Sequence, residues 1–240
     1  MTYVSLVCLP FAGAGASVFS PWRRRRAEFE VRALQLPGRE NLVDEEPRTD
    51  VAGAVEALRR DLAGKVGGGE VVLFGHSLGA ILAFELARVL EAEGRLVVRH
   101  LVASGSSDPW TMREERATGL SDDDFLARVQ EFAGYAHPAL ADPELRELIL
   151  PVLRADVALH EAYRAEPGAR IKAPVTAVLG TEDALVPAAQ VEGWRAVTEG
   201  AFRTVRPAGG HMYLTDDPDS VLDLVADVVA GPRARRHRTG

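Results

Sequence analysis

Val71-Val72-Leu73-Phe74-Gly75-His76-Ser77-Leu78-Gly79 is the stretch that decides the fold. Four apolar residues of strand character run into a G-x-S-x-G pentapeptide, and apolar residues at helical spacing follow through Leu90. Strand, sharp turn and helix with a serine at the apex make a nucleophile elbow. Glycines flank the serine on both sides because the turn leaves no room there for a Cβ. The turn lifts Ser77 Oγ out of the sheet, and the helix after it presents its partial positive end. A pentapeptide recurs by chance, so its surroundings have to decide.

Outward from the elbow, short apolar runs alternate with helical patterns. Val4–Leu9, Val31–Leu36, Val71–Phe74, His100–Ser104, Val175–Leu179 and Phe202–Arg206 read as strands. Val51–Ala63, Leu78–Leu90, Ala188–Val197 and Ser220–Val229 read as helices, with Gly94 a stop signal for the second. This βαβα alternation predicts an α/β fold, a mostly parallel central sheet with helices on both faces.

One stretch breaks the rhythm. Between about residues 108 and 167 no strand is evident. Ser121-Asp122-Asp123-Asp124 marks a helix start before Phe125–Phe132, and Asp142–Leu150 and Val152–Tyr163 read as two further helices. Sixty residues make an improbable structureless loop in a compact domain. A helical insertion placed after the elbow and before the next strand is expected to form a lid. An added helical layer without a gating role is the plainer alternative.

The chain has 240 residues, enough for one large domain over residues 1–231. Apolar residues make up 47% and charged residues 26%, ordinary for a globular protein, and the net charge is −7. Residues 232–240 hold Arg233, Arg235, Arg236 and Arg238 and no acid, so the body is more acidic still and the tail reads as a disordered end. An acidic body argues against a nucleic-acid partner. Cys8 stands alone in an apolar run, which excludes an internal disulfide and suits a buried thiol. With no secretory signal and no run long enough to span a membrane, the sequence reads as cytoplasmic and membrane-free, and we expect a monomer. No metal-binding cluster or cofactor motif is evident.

A serine hydroxyl becomes a nucleophile when a base takes its proton and a carboxylate orients that base. Behind an elbow of this kind the expected chain order is Ser, then Asp or Glu, then His. Asp183 follows the strand Val175–Leu179, and His211 follows Phe202–Arg206. Both fall beyond the carboxyl ends of strands, where open α/β sheets place their sites. Asp183 is favoured over its neighbour Glu182 and over Asp156 on the insertion. His76 reads as a turn residue, and His100, His137, His160 and His237 as surface or structural. Oxyanion donors are expected from the Leu78 N–H and from the small, glycine-rich loop Pro10-Phe11-Ala12-Gly13-Ala14-Gly15, with the Ala12 N–H as candidate. No Gly-Lys-Ser/Thr follows that loop, which sets a phosphate loop aside.

Taken together, these residues resemble the type II thioesterases of polyketide and nonribosomal peptide biosynthesis, a branch of the α/β-hydrolases. Leu9-Pro10-Phe11-Ala12-Gly13 is similar to that family's oxyanion loop and Gly209-Gly210-His211-Met212-Tyr213 to its histidine loop. Gln35-Leu36-Pro37-Gly38-Arg39-Glu40 resembles its "LPGRE" segment and Leu153-Arg154-Ala155-Asp156 its "LRAD" segment, both more specific than the serine pentapeptide. The resemblance runs from about Tyr3 to Val229. It implies Ser77, Asp183 and His211 as a triad, Ala12 and Leu78 as oxyanion donors, and a thioester on the phosphopantetheine of an acyl or peptidyl carrier protein as substrate. No cofactor of the chain's own is implied. The chain departs from the family at Ala14, where a second glycine is common, and at Met212, where Phe is common; both bear on acyl fit.

Two further expectations follow. Phe125, Leu126, Phe132, Leu145, Leu148 and Ile149 could roof an acyl pocket, with Phe11 and Met212 as further substrate-binding candidates; packing against the sheet is the alternative. The run Arg23–Arg26 could steer an acidic carrier protein, or be a solvated face. The reading favoured is an editing hydrolase that clears aberrant or stalled acyl groups. Dedicated release of one chain, a generic carboxylesterase and a catalytically silent binding protein are alternatives in descending order.

Overall fold

The computed structural model describes residues 4–112, 116–133, 140 and 142–230. Among them six strands form one sheet: β1 (Val4–Leu9), β2 (Phe29–Ala33), β3 (Gly69–His76), β4 (Leu96–Ser104), β5 (Val175–Val178) and β6 (Phe202–Val205). Their order is β2-β1-β3-β4-β5-β6, and every neighbouring pair is parallel. The chain steps from β1 outward to β2 and returns to the other side of β1 with β3. That reversal opens a crevice between the carboxyl ends of β1 and β3, the place where such sheets bind ligands. Leu9 pairs with Gly75 there, so the loop after β1 and the elbow after β3 leave the sheet side by side.

Alternation along the strands sorts the core into two layers. Val7, Leu9, Val71, Leu73, Leu101, Ala103, Val175 and Ala177 face one cluster, built with α1 (Val51–Lys65), α2 (Leu78–Glu93) and α5 (Ala188–Glu192). Leu6, Cys8, Val72, Phe74, Val102 and Val178 face the other, with the 3₁₀ segment Ala16–Trp22, α6 (Tyr213–Asp216) and α7 (Pro218–Ala230). Helix α2 is buried from Leu78 through Phe84 and again at Leu86, Ala87 and Leu90, as a helix apolar nearly all round must be. It ends at Gly94, whose left-handed backbone (φ 67°) lets its N–H reach Leu90 O at 3.0 Å. Cys8 is buried, and burial pushes its thiol well above the usual range. Among the described residues no helix is long and apolar enough to cross a membrane.

Strands β3 and β4 are longer than the sequence reading, β4 beginning at Leu96 rather than His100, and α6 is an added turn; three differences bear on the layout of the fold. Strand β2 begins two residues earlier and stops at Ala33 rather than Leu36. Gln35 N–H leaves the ladder for the Asp61 carboxylate (2.8 Å), freeing Gln35–Glu40 to fold over the loop after β1. The pattern at Ala188–Val197 divides into α5 and a 3₁₀ turn, Gly193–Val197, changing geometry at Gly193. In the insertion, α3 (Asp122–Ala133) starts as the Ser121 signal predicts, with Asp124 N–H on Ser121 Oγ. The next two expected helices are one, α4 (Pro143–Ala162), with Pro151 inside it. Proline deletes one helical hydrogen bond. Burial of Leu150 before it and of Val152, Leu153 and Val157 after it holds both halves in one helix.

Candidate active site

Ser77 sits between β3 and α2 with φ 52° and ψ −120°, a backbone conformation that non-glycine residues rarely hold. Two close approaches enforce it. A Cβ on Gly75 would lie 1.9 Å from Gly79 O, and one on Gly79 would lie 2.4 Å from Leu9 O. Ser77 N–H donates to Ser104 O on β4 (2.8 Å), which anchors the turn from its other side. The serine is 8% exposed.

Asp183 and His211 come together because their loops cross almost without clearance. A Cβ on Gly180 would meet Gly209 O at 2.4 Å, and Glu182 N–H donates to Gly209 O (2.9 Å). His211 Nδ1 lies 2.8 Å from Asp183 Oδ2. Oδ1 of the same carboxylate accepts the N–H groups of Leu185 (2.9 Å) and Val186 (3.1 Å). Burial pulls the Asp183 carboxyl upward; the hydrogen bond and charge of His211, with those two N–H groups, outweigh it and hold the group below the ordinary carboxylate range. Glu182, the competing acid, points to solvent, and Asp156 lies in a separate ion pair.

His76 proves to be more than a turn residue. It is fully buried, its ring 4.7 Å from that of His211, which fixes the imidazole beside the elbow. Its Nδ1 is 2.8 Å from Ser104 Oγ, and Ser104 Oγ is 2.6 Å from Tyr213 OH. Burial, and then the charge of His211, hold His76 well below the usual histidine range, so it is neutral. Its Nε2 has no partner among the described residues. Sequence reasoning missed Ser104 and Tyr213 as supports; neither carries a motif, and only the fold brings them together. Among the described residues no hydrogen bond joins Ser77 Oγ to His211; such contacts are often loose before substrate binds.

At the candidate oxyanion hole, Leu78 opens α2, so its N–H has no partner within the helix. Phe11–Ala14 is a tight turn closed by Ala14 N–H on Phe11 O (3.0 Å), with Gly13 at φ 77° in its third position. Ala12 touches both the main core and the small core of the insertion. Phe11 stands edge-on to His76 at 5.9 Å.

A cavity of about 430 Å³ borders Gly105, where a Cβ would come within 3.1 Å of the His211 ring; none of Ser77, Asp183, His211, Ala12 and Leu78 is among its lining residues. Ile81 of α2, Ser106 and Asp108 after β4, Leu185 after Asp183, His160 of α4 and Tyr163 just beyond its end are among its walls. The expected acyl roof is corrected in part. Phe125 is 1% exposed and belongs to the insertion's own core with Ala117, Leu150, Leu153 and Val157, under the guanidinium of Arg154 at 4.3 Å. Leu126 packs on the same cluster, and Leu145 and Leu148 face solvent. Met212 is half-buried and packs on the second core layer. The Phe132 side chain, His137, His237 and the tail 232–240 lie outside the described residues. The arginine run is a stitch: Arg25 pairs with Asp219 (3.1 Å) and Arg26 with Asp223 (2.6 Å) on α7, leaving Arg23 and Arg24 exposed.

Comparison with known proteins supplies an independent line. A family model described as "Thioesterase domain" matches residues 4–228. A Streptomyces griseus protein described as "Probable cadicidin biosynthesis thioesterase" is 36% identical over 232 residues, 96% of this chain and 64% of that protein. "Thioesterase PikA5" of Streptomyces venezuelae is 34% identical over 225 residues, 93% of this chain and 80% of that one. Among solved structures, the type II thioesterase BorB from the borrelidin biosynthetic cluster matches with a TM-score of 0.85 at 35% identity, covering 95% of this chain and 93% of that one.

Proposed function

The chain belongs to the thioesterase domain family, and from that premise we propose that it hydrolyses acyl groups from the phosphopantetheine thiol of acyl or peptidyl carrier proteins in polyketide or nonribosomal peptide assembly. The observation that carries this reading is the Asp183–His211 pair at 2.8 Å, its imidazole ring set against the residue that precedes Ser77.

In the proposed reaction His211 takes the proton of Ser77 Oγ as that oxygen attacks the thioester carbonyl. Asp183 fixes the imidazole tautomer and stabilises the cation that forms. The N–H groups of Ala12 and Leu78 hold the tetrahedral oxyanion. The carbon–sulfur bond breaks, the thiol departs with a proton from His211, and acyl-Ser77 is left. Water, deprotonated by His211, attacks that ester, and the carboxylate leaves as Ser77 regains its proton. A thiol of pKa about 8.5 is a good leaving group and asks little of the acid. Phosphopantetheine arrives on the carrier protein, as part of the substrate.

We assign an editing role, the removal of many different stalled or aberrant acyl groups. Similarity to the type II thioesterase BorB over nearly the whole of both chains supports the thioesterase class within which we assign this role. Mass spectrometry of carrier proteins loaded with a panel of acyl groups tests the role: broad deacylation is expected, and removal of one acyl group alone would point to dedicated release. The chemistry has its own test. Ser77→Ala should abolish both turnover and phosphonate labelling, and a variant that keeps wild-type rates would overturn the assignment.

A further inference from the structure

Two sequence segments, Leu36–Glu40 and Leu153–Asp156, are absorbed by none of the proposed chemical steps, yet in the fold they meet. Arg39 and Asp156 form a two-pronged buried pair, Nη1 to Oδ2 at 2.6 Å and Nη2 to Oδ1 at 2.8 Å, with the residues 7% and 2% exposed. Both partners also hold the turn after β1. Gly13 N–H donates to Asp156 Oδ2 (2.8 Å), and Arg39 Nη1 donates to Ala14 O (3.0 Å). Gln35 Oε1 accepts Ala16 N–H (2.8 Å), and Glu40 accepts Ser17 N–H (3.1 Å). Leu153, one turn before Asp156 on α4, lies so close over the turn that a Cβ on Gly13 would come within 2.9 Å of its Cδ1.

Backbone groups of residues 13, 14, 16 and 17 are thus each tied to a side chain from outside the loop. Among the described residues, Ala12 N–H is paired with no acceptor, while the Ala12 side chain is gripped between the main core and that of the insertion. We infer that the Arg39–Asp156 pair makes the insertion part of the oxyanion hole: α4 seated on Arg39 fixes the Phe11–Ala14 turn and, with it, the uncommitted Ala12 N–H. Arg39 and Asp156 are positioning residues, acting through the loop and touching no reacting atom. The insertion is then anchored at Asp156, in the second half of α4. This inference rests on the reading of Ala12 and Leu78 as oxyanion donors.

The test uses the full chain with Arg39→Met/Asp156→Leu, which replaces the buried pair by apolar side chains of similar length, and Asp156→Asn, which keeps the shape and one acceptor for Gly13 N–H. Removing a single partner of a buried pair would leave an uncompensated charge, so the double variant is the cleaner one to fold. Misplacing an oxyanion donor lowers the chemical step rather than binding. On an acyl-N-acetylcysteamine thioester, kcat of the double variant should fall roughly tenfold to a hundredfold with KM within about threefold, and Asp156→Asn should fall in between. Hydrogen exchange of the amides of residues 13–17 should quicken in both variants while β3 stays protected. A kcat equal to wild type, a loss confined to KM, or unchanged exchange in the loop would each overturn the inference. If the double variant does not fold, Asp156→Asn is read by the same criteria. A wild-type chain that cleaves no thioester sinks the function instead, and the exchange measurement still reads the clamp.

Discussion

At the scale of single residues, the site depends on groups that have exchanged water for fixed partners. Asp183 accepts three hydrogen bonds, one from His211 and two from backbone, and is held below the ordinary carboxylate range. It therefore stays ionised at any pH above about 4, and the acid limb of the rate profile should not report its protonation. Asp183→Asn offers the imidazole the wrong partner, and kcat should drop by about 10³ to 10⁴ with the fold intact. A loss under tenfold, measured beside an unchanged circular dichroism spectrum, would remove Asp183 from the mechanism. Ser104 is a different kind of support, the shared partner of His76 Nδ1 and Tyr213 OH. Ser104→Ala leaves both unpaired in a dry interior, at about 1–3 kcal/mol for each. Urea unfolding should show a loss of at least about 2 kcal/mol; a shift lost in the noise would mean that the pair finds another partner. The serine, acid and base candidates were legible in the sequence because strand ends and chain order announce them. Ser104 and Tyr213 were not, because a bond between residues 109 positions apart leaves no local mark.

At the scale of elements, helix ends were read well and helix continuity less well. Ser121 and Asp142 cap α3 and α4 as their side chains suggest, Asp142 accepting from Glu144 N–H (2.9 Å) and Leu145 N–H (3.3 Å). Asp142→Ala should weaken the first turns of α4 by about 1 kcal/mol. Hydrogen exchange over residues 143–150 should rise while the global melting midpoint hardly moves, since this end of α4 is mostly exposed. Protection unchanged in those residues would show that tertiary contacts, not the cap, hold the helix start. Pro151 suggested a break, and tertiary burial on both sides of it overrode the local preference. The second half of α4 is also the better anchored. Asp156 holds Arg39, Glu161 accepts Ala117 N–H (2.6 Å), and Arg154 binds Asp122 at the start of α3 (2.6 Å). The sequence marked this segment as distinctive, but its meaning depended on a partner 117 residues away.

At the scale of the whole molecule, two desolvated neutral histidines, His76 buried and His100 half-buried, shape the response to acid. Burial holds His76 well below the usual range; His100, desolvated and then repelled by Arg203 and Arg99, is pushed down to about 4. Unfolding returns both to about 6.5, so below that pH the unfolded chain binds more protons and stability falls with pH. For His100 the window runs from about 6.5 down to about 4, and each group adds a slope of at most about 1.4 kcal/mol per pH unit. Asp183, shifted the other way, contributes stability above about 4 that is lost as pH falls through its lowered folded value. Urea midpoints should decline steadily from pH 7 to pH 4, less steeply in His100→Gln; a flat profile would refute the assignment of desolvated neutral histidines. The sequence by itself determined the alternation of strands and helices, the elbow, the chain order of serine, acid and base, and the place of the insertion. Each of these is written in local periodicity or in the few residue types a sharp turn or a cap accepts. Only the tertiary structure decided that Phe125 closes the insertion's own core, that half of the arginine run is spent on α7, and that Arg39 and Asp156 join the insertion to the turn at Ala12. Those outcomes depend on which surfaces the sheet order brings together, and pairing across more than a hundred residues is fixed by packing rather than by any neighbour in sequence.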